Sequence, residues 1–364
     1  MRAYVEVDLK AIASNIKWVK RGTKAQILAV VKADAYGHGL VPVAKTAIKS
    51  GATWLGVALL EEALILRKNK IKAPIIAWLT PPGEDFKAAI KNNIQLSVPS
   101  IKHLKLIEAA GKKAKKRPQV HIEVDTGMSR GGLLDEWEDF LKAIVKADVD
   151  VLGFWSHFAR ADEPGHAFNK GQELKFNKML LELMGVGIVP KYVHFANSAA
   201  ALTNPGVHGQ IVRLGISMYG LSPDVIHMGT GAELGLKPAM KVKAEIHLVK
   251  DVKKGAPVGY SGVESTRQDT KLAIITMGYS DGIPRPTSNK AGVFVAGKRA
   301  PIIGRVSMDQ FVVDLGIDSK AKAGDVATVI GGKGYSIDEW AAAAGTINYE
   351  IVTRIASRVP RIYV

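Results

Sequence analysis

Short apolar or β-branched runs punctuate the first two thirds of the chain, at 27–31, 53–58, 74–79, 94–98, 120–124, 151–155, 192–195 and 211–214. Short runs of this kind, separated mostly by 20 to 40 residues, suit the strands of a parallel sheet. Between them the period changes to that of a helix. Trp137, Phe140, Leu141, Ile144 and Val145 stand at offsets of 0, 3, 4, 7 and 8, one helical face, with Asp135 or a neighbour as the cap. Leu9, Ile12, Ile16 and Val19 form a similar stripe. Eight strand–helix units in about 210 residues match a closed (β/α)8 barrel, against which stands an open doubly wound sheet. Polar residues and glycines gather directly after the runs, at 32–39, 125–132, 156–160, 196–199 and 215–216. A barrel keeps its chemistry at these strand ends, and the clustering favours it.

From residue 238 the texture is different. Met240, Val242, Ala244, Ile246 and Leu248 alternate with polar residues, and runs at 272–276, 293–295, 311–313 and 326–330 are separated by Gly and Pro turns. One short helix is expected near the end, where Ser336 and Glu339 have capping-box spacing before Trp340. The chain reads as an α/β protein: an N-terminal (β/α)8 TIM-like barrel over residues 1–237, then a mostly β C-terminal domain over 238–364, with residues 1–7 expected to pair with the latter.

Composition narrows the chemistry. The 364 residues are 47% hydrophobic and 23% charged, the balance of a globular chain, and cysteine is absent. Disulfides, thiolate metal sites and cysteine nucleophiles are excluded. The net charge of +16 is compatible with an anionic ligand, nucleic acid or a membrane surface. The densest basic run, Lys112, Lys113, Lys115, Lys116 and Arg117, contains no aromatic residue to stack on a base and reads as a solvated helix end. Glu6, Asp8 and Lys10 interrupt what an export signal would keep apolar, and no run approaches the ~20 residues of a membrane span. The expectation is a cytoplasmic protein with no nucleic-acid or membrane partner and no metal site.

Lys32 follows the first run and precedes a glycine-bounded turn, so its amine projects from the end of a buried strand. Partial desolvation there lowers an ammonium pKa, as a lysine that attacks carbonyls requires. Taken alone, a lysine after a strand is an ordinary loop residue, and the neighbours decide. The stretch Ala29-Val30-Val31-Lys32-Ala33-Asp34-Ala35-Tyr36-Gly37-His38-Gly39 resembles the pyridoxal-phosphate attachment signature of the alanine racemase family. The resemblance continues in order through Val124-Asp125-Thr126-Gly127-Met128-Ser129-Arg130, His194-Phe195-Ala196-Asn197-Ser198-Ala199-Ala200, Arg213-Leu214-Gly215-Ile216, Gly278-Tyr279-Ser280-Asp281-Gly282, Gly304-Arg305-Val306-Ser307-Met308-Asp309-Gln310 and Arg358-Val359-Pro360-Arg361.

This resemblance implies a pyridoxal 5'-phosphate enzyme that racemises alanine to supply D-alanine for peptidoglycan. It implies that Lys32 carries the cofactor and is one of two acid/base groups, the other being Tyr260, offered from the second subunit of a homodimer with shared active sites. Arg213 is then the donor to the pyridine nitrogen, which weakens the ring as an electron sink and suppresses side reactions. Tyr36, Ser198, Gly215 and Ile216 are the phosphate contacts, and His157 and Asn197 further cofactor neighbours. Arg130, Met308 and Asp309 face the substrate, and Tyr279, Arg285, Arg305 and Ile355 line an entry corridor.

Two positions depart from the family. Many members carry a carbamylated lysine where this chain has Glu123, whose carboxylate is expected to hold Arg130 directly. Ser357 stands where the family usually has a tyrosine, which leaves volume beside the substrate side chain and suggests acceptance of serine or other larger amino acids. A broader-specificity or serine-type racemase, or a pyridoxal-phosphate-binding barrel without catalysis, are the competing readings.

Overall fold

A computed structural model describes residues 1–287 and 289–364. The chain divides into two compact units, one of Ala11–Ala35 and Leu40–Lys237, the other of Met1–Lys10, Tyr36–Gly39 and Pro238–Val364. Strand β1 is Ala3–Val7, and the first helix, Leu9–Arg21, follows directly. The eight apolar runs become β2 (Gln26–Val30), β3 (Trp54–Val57), β4 (Ile75–Ala77), β5 (Ile94–Val98), β6 (Gln119–Glu123), β7 (Asp150–Trp155), β8 (Tyr192–His194) and β9 (Ile211–Leu214).

These strands are parallel and ordered β8-β7-β6-β5-β4-β3-β2-β9, with helices in the crossovers. The ladder is open only between β8 and β9, where Gln210 N donates to Val193 O and Arg213 N to Ala196 O, both at 2.9 Å. The result is a nearly closed barrel. Side chains of β3, β4, β5 and β9 are buried along the whole strand, including the polar Gln95 and Ser97 of β5 and Arg213 of β9.

The second unit continues with β10 (Met240–Val252), β11 (Pro257–Val258), β12 (Glu264–Ser265), β13 (Thr270–Ile275), β14 (Gly292–Val295), β15 (Lys298–Pro301), β16 (Phe311–Asp314), β17 (Val326–Ile330) and β18 (Arg361–Tyr363). The order β15-β14-β17-β10-β1-β18 makes one sheet, with β13 pairing both β10 and β16. β1 lies antiparallel to β10, Val5 opposite Val242, and parallel to β18, Glu6 opposite Ile362.

Local departures from the sequence pattern have physical causes. Alternation in β10 holds to Ile246 and then fails, because a bulge between Ile246 and Leu248 turns Leu248 outward to 43% exposure. The helix at 137 ends at Ile144, so Val145 is its C-cap and exposed. Its N-cap is Glu136 rather than Asp135, without a side-chain cap, because the Glu136 carboxylate accepts Ile101 N at 2.9 Å. Two helices, Ile337–Ala344 and Asn348–Thr353, stand where one was expected; Ser336 and Glu339 cap the first reciprocally. The basic run closes the helix Ile101–Ala114, with Lys115 as a left-handed cap and Arg117 paired to Asp148 and Asp150 at 3.3 and 3.1 Å. Among the described residues no helix is long and apolar enough to cross a membrane.

Candidate active site

Lys32 stands just beyond β2, partly buried. Burial, and then the charge of Arg130, pull its ammonium below the ordinary value against an opposing pull from Glu62. The backbone that follows is left-handed over Ala33, Asp34, Ala35 and Tyr36, with φ of 52°, 51°, 53° and 53°. For L-residues such a turn costs roughly 1–2 kcal/mol per residue, so it persists only where neighbours impose it. Three ties do so: Ala33 N donates to Glu62 Oε1 at 2.5 Å, Ala35 N to Val31 O at 2.9 Å, and Leu40 N to Asp34 Oδ1 at 2.7 Å. Glu62 also accepts Ala58 N and Leu59 N at 3.0 Å, pinning its own helix start to the turn after Lys32.

Arg213, on β9, is 4% exposed. Its Nη1 donates to His194 O at 2.7 Å and His194 Nδ1 at 3.3 Å; its Nη2 donates to Ser156 O at 2.8 Å, His157 Nδ1 at 3.2 Å and Phe195 O at 3.3 Å. Neither Nη is left over, whereas Nε donates to no described residue. The guanidinium lies 5.0 Å from the centre of the Trp155 ring, and burial brings it down to about 9 against the pull of Glu123. His157 is held neutral, first by burial and then by Arg213, Arg130 and Lys32.

The segment after β6 is a built loop. Asp125 Oδ1 accepts Gly127 N, Met128 N and Ser129 N at 2.8, 3.0 and 3.2 Å, and Leu133 returns to bridge Val124. Arg130 is thereby carried into the open. It acts as a charge on Lys32, Glu123, His157 and Arg213, which gathers these groups in one field. The expected direct pairing of Glu123 with Arg130 is absent. Glu123 Oε2 instead accepts Ser97 Oγ at 2.9 Å, Ser97 Oγ accepts Trp155 Nε1 at 3.0 Å, and burial pushes Glu123 up to about 7. A glutamate is too short to reach Arg130 from β6 while its carboxylate is held by β5.

Ser198 opens the helix Ser198–Thr203, capped by Asn197 Oδ1 accepting Ala200 N at 3.1 Å. Its Oγ accepts Gly215 N at 2.9 Å, so the strand ends carrying Ser198, Gly215 and Ile216 meet. The hydroxyl proton of Ser198 is left to donate to an anion.

The β unit holds the other candidates in adjoining turns. Tyr260, 68% exposed, sits between Gly259 and Ser261, and Arg305 Nη1 donates to Ser261 Oγ at 3.4 Å. Tyr279 N donates to Ser307 O at 3.0 Å, and Ser280 N and Oγ to Met308 O at 3.0 and 2.7 Å. Gly278 permits this approach, since a Cβ there would stand 2.2 Å from Met308 O. Arg358 ties the same loop down, with Nε donating to buried Asp281 at 2.6 Å and Nη2 to Asp309 at 2.6 Å; Arg2 binds Asp281 from the other side at 2.6 Å. Ile355 is buried beneath the 278–282 turn, whereas Arg285 and Ser357 are exposed. Tyr36, buried, has its ring 6.2 Å from that of Tyr349.

Asp125, Asp281 and Arg358, which lie in the motifs of the family resemblance without a role assigned there, do this positioning together with Glu62, which lies in none of them. So does Gln172, whose Nε2 donates to Thr126 Oγ1 and His157 O, both at 3.1 Å. Glu62, Arg358 and Gln172 lie 29, 77 and 46 residues from Ala33, Asp281 and Thr126, and spacing cannot reveal such links.

Models for the N-terminal and C-terminal domains of alanine racemase match residues 7–223 and 239–363. The alanine racemase of Salinispora tropica is 46% identical over 371 residues, which span 100% of this chain and 98% of that protein. The crystal structure of alanine racemase from D-cycloserine-producing Streptomyces lavendulae superposes with a TM-score of 0.98 at 43% identity, covering 100% of this chain and 97% of that one. That from Bacillus anthracis with bound L-Ala-P gives 0.91 at 38% identity, covering 100% and 95%. With both domains matched and identity far above 30% along the full length, the chain belongs to the alanine racemase family.

Proposed function

We propose that Lys32 and Tyr260 are the two acid/base groups with which this enzyme interconverts L- and D-alanine. The observation that carries the reading is the state of Lys32, an amine whose pKa is lowered by burial and by Arg130 at the mouth of a barrel. Such a shift favours the unprotonated amine, the form that can take a proton. Inverting a stereocentre requires that a proton leave one face of the α-carbon and arrive at the other, so one group cannot serve both faces efficiently. Tyr260 Oη supplies the opposite face.

The residues suit pyridoxal 5'-phosphate, which when bound supplies a conjugated ring that draws electrons from the α-carbon. Lys32 would attach it, Ser198, Gly215, Ile216 and Tyr36 would receive its phosphate, Arg213 would donate to its ring nitrogen, and His157 and Asn197 would flank it. The fit rests on two features: Ser198 keeps its hydroxyl proton while accepting Gly215 N, and Arg213 keeps Nε while both Nη atoms are committed. Lys32, Arg130 and Arg213 suit a dianion. Arg130, Met308 and Asp309 orient the substrate carboxylate, and Tyr279, Arg285, Arg305 and Ile355 form its approach.

We infer a homodimer in which each site takes Tyr260, Met308 and Asp309 from the second copy, supported by their exposure on one chain. Mixing inactive Lys32→Ala and Tyr260→Phe subunits restores activity toward one quarter of wild type on this arrangement; no recovery after demonstrated subunit exchange overturns it. The product D-alanine is assigned to peptidoglycan synthesis in the cytoplasm.

Ser357, exposed in place of a ring, supports a second element of the reading, relaxed selection on substrate size. Ser357→Tyr should cut kcat/KM for serine by about 10-fold relative to alanine, the worth of one lost or gained pocket contact. An unchanged ratio removes Ser357 from specificity.

A further inference from the structure

Inside the barrel runs a polar chain that proton transfer does not itself require. Gln95 on β5, His121 on β6 and His194 on β8 are 5%, 0% and 1% exposed. His121 Nε2 lies 2.7 Å from Gln95 Oε1, His121 Nδ1 lies 2.9 Å from His194 Nε2, and His194 Nδ1 lies 3.3 Å from Arg213 Nη1. Burying three polar side chains is costly unless each is satisfied, and apolar residues would fill the same space without that demand. The neighbouring strand also yields to the chain: a Cβ on Gly153 of β7 would stand 1.9 Å from His121 Nδ1.

The direction of every bond follows from one end. A guanidinium has donors only, so His194 Nδ1 must accept from Arg213. A neutral His194 then carries its proton on Nε2 and donates to His121 Nδ1. His121 in turn carries its proton on Nε2 and donates to the Gln95 carbonyl. Reversing any link sets donor against donor, and so does adding a proton to either ring. Burial keeps both imidazoles unprotonated, His121 at about 3 and His194 well below its ordinary value, the latter helped by the charge of Arg213. His194 is further fixed by stacking on Trp155, with ring centres 5.8 Å apart and planes 2° from parallel.

We propose that Gln95, acting through His121 and His194, is a positioning residue for Arg213: its carbonyl ends a one-way hydrogen-bond relay that holds the guanidinium by Nη1 and leaves Nε for the cofactor. The inference deepens the reading of Arg213 as the donor to the ring nitrogen and rests on it. Gln95 touches neither substrate nor cofactor. The Arg213 end rests on a 3.3 Å contact of an Nη1 that also donates to His194 O at 2.7 Å, so the Gln95 carbonyl is needed to hold His121 and His194 in the tautomers this contact requires.

The test begins with the cofactor-free wild-type protein labelled with 15N-histidine. At pH 8 both His121 and His194 should give the spectrum of a neutral ring protonated on Nε2. An Nδ1–H or doubly protonated ring at either position overturns the relay. Gln95→Met keeps the volume and removes the acceptor. In the cofactor-free form it should mix the tautomers of both rings; in the loaded enzyme it should shift the cofactor absorbance band and lower kcat about 10-fold, the worth of one well-placed hydrogen bond, with KM for alanine within about twofold. Gln95→Glu, which retains an acceptor oxygen at the same reach, should restore tautomers and absorbance. Unchanged tautomers, absorbance and kcat in Gln95→Met overturn the positioning role. If that variant does not fold, the wild-type tautomers decide alone. Failure of the wild-type protein to bind pyridoxal phosphate would instead overturn the reading of Arg213, leaving the tautomer result standing.

Discussion

The candidate groups of the barrel and those of the β unit are prepared in opposite ways. In the barrel, Arg213 and His157 are buried or nearly so, and Lys32, Glu123, His157 and Arg213 all have displaced pKa values because water is excluded around them. Their geometry is over-determined: Arg213 makes five hydrogen bonds with its two Nη atoms. In the β unit, Tyr260, Met308 and Tyr279 are 68%, 54% and 40% exposed, and their backbones are held while their side chains face solvent. Ion pairs anchored on buried Asp281 do the holding. One half carries its electrostatic environment within its own fold; the other presents groups whose environment must come from whatever covers them. A shared site built from two copies needs this asymmetry, since the covering surface must stay open until assembly.

Three perturbations sharpen the contrast. The largest effect is expected at Glu62, because its carboxylate joins the Lys32 turn to the start of the helix Leu60–Lys68. Glu62→Leu strips acceptors from Ala33 N, Ala58 N and Leu59 N, and should lower kcat/KM by about 10- to 100-fold, each charge-assisted bond being worth roughly 1.5–3 kcal/mol; Glu62→Gln should recover part of it. Full activity of Glu62→Leu in steady-state assays would mean that the left-handed turn needs no buttress. An intermediate effect belongs to the β unit. Arg358→Met frees the 307–309 loop from Asp281 and Asp309 and should raise KM for alanine about 3- to 10-fold with kcat nearly intact, in keeping with the modest worth of partly exposed ion pairs. A loss confined to kcat would show instead that this loop acts on the reacting atoms.

The smallest effect is thermodynamic. Glu123 is raised from an ordinary 4.5 to about 7, so between these values the folded state binds the extra proton and stability falls as pH rises. Glu123→Gln removes that penalty. It should gain about 1 kcal/mol over wild type at pH 8, after allowance for solvent around a partly exposed side chain, and nothing at pH 4, read from thermal unfolding. A gain of equal size at both pH values would point to packing rather than charge.

The barrel was legible because its strands are buried on both faces: 27–31 is apolar throughout, and 94–98 and 211–214 bury even their polar members, Gln95, Ser97 and Arg213. The helix at 137 was legible in its periodicity and in a cap at Asp135 or its neighbour, and misread at its far end, where Val145 is the C-cap. Leu248 fits the alternation of β10 perfectly and still points outward, because a bulge is a property of two paired strands and leaves no mark on one. The same limit governs the site. Lys32, Arg130 and Arg213 were marked by the motifs that carry the family resemblance, whereas the link from Glu123 to Ser97 crosses from β6 to β5 and appears only when the two are side by side. The buried chain from Gln95 to Arg213 crosses four strands and is invisible in any local window.

The seam between β8 and β9 also fixes when the barrel half can exist. β9 pairs with β2, and Tyr219 Oη donates to Val30 O at 2.9 Å across 189 residues of chain. Contacts of such sequence separation form late, because the loop they close must be ordered first. A nascent chain therefore displays Lys32 long before Arg213 is synthesised. Until β9 docks against β2, the strand that ends at Lys32 lacks one of its two neighbours, and the burial that shifts the amine is incomplete. The burial that lowers the Lys32 ammonium is thus a late product of folding.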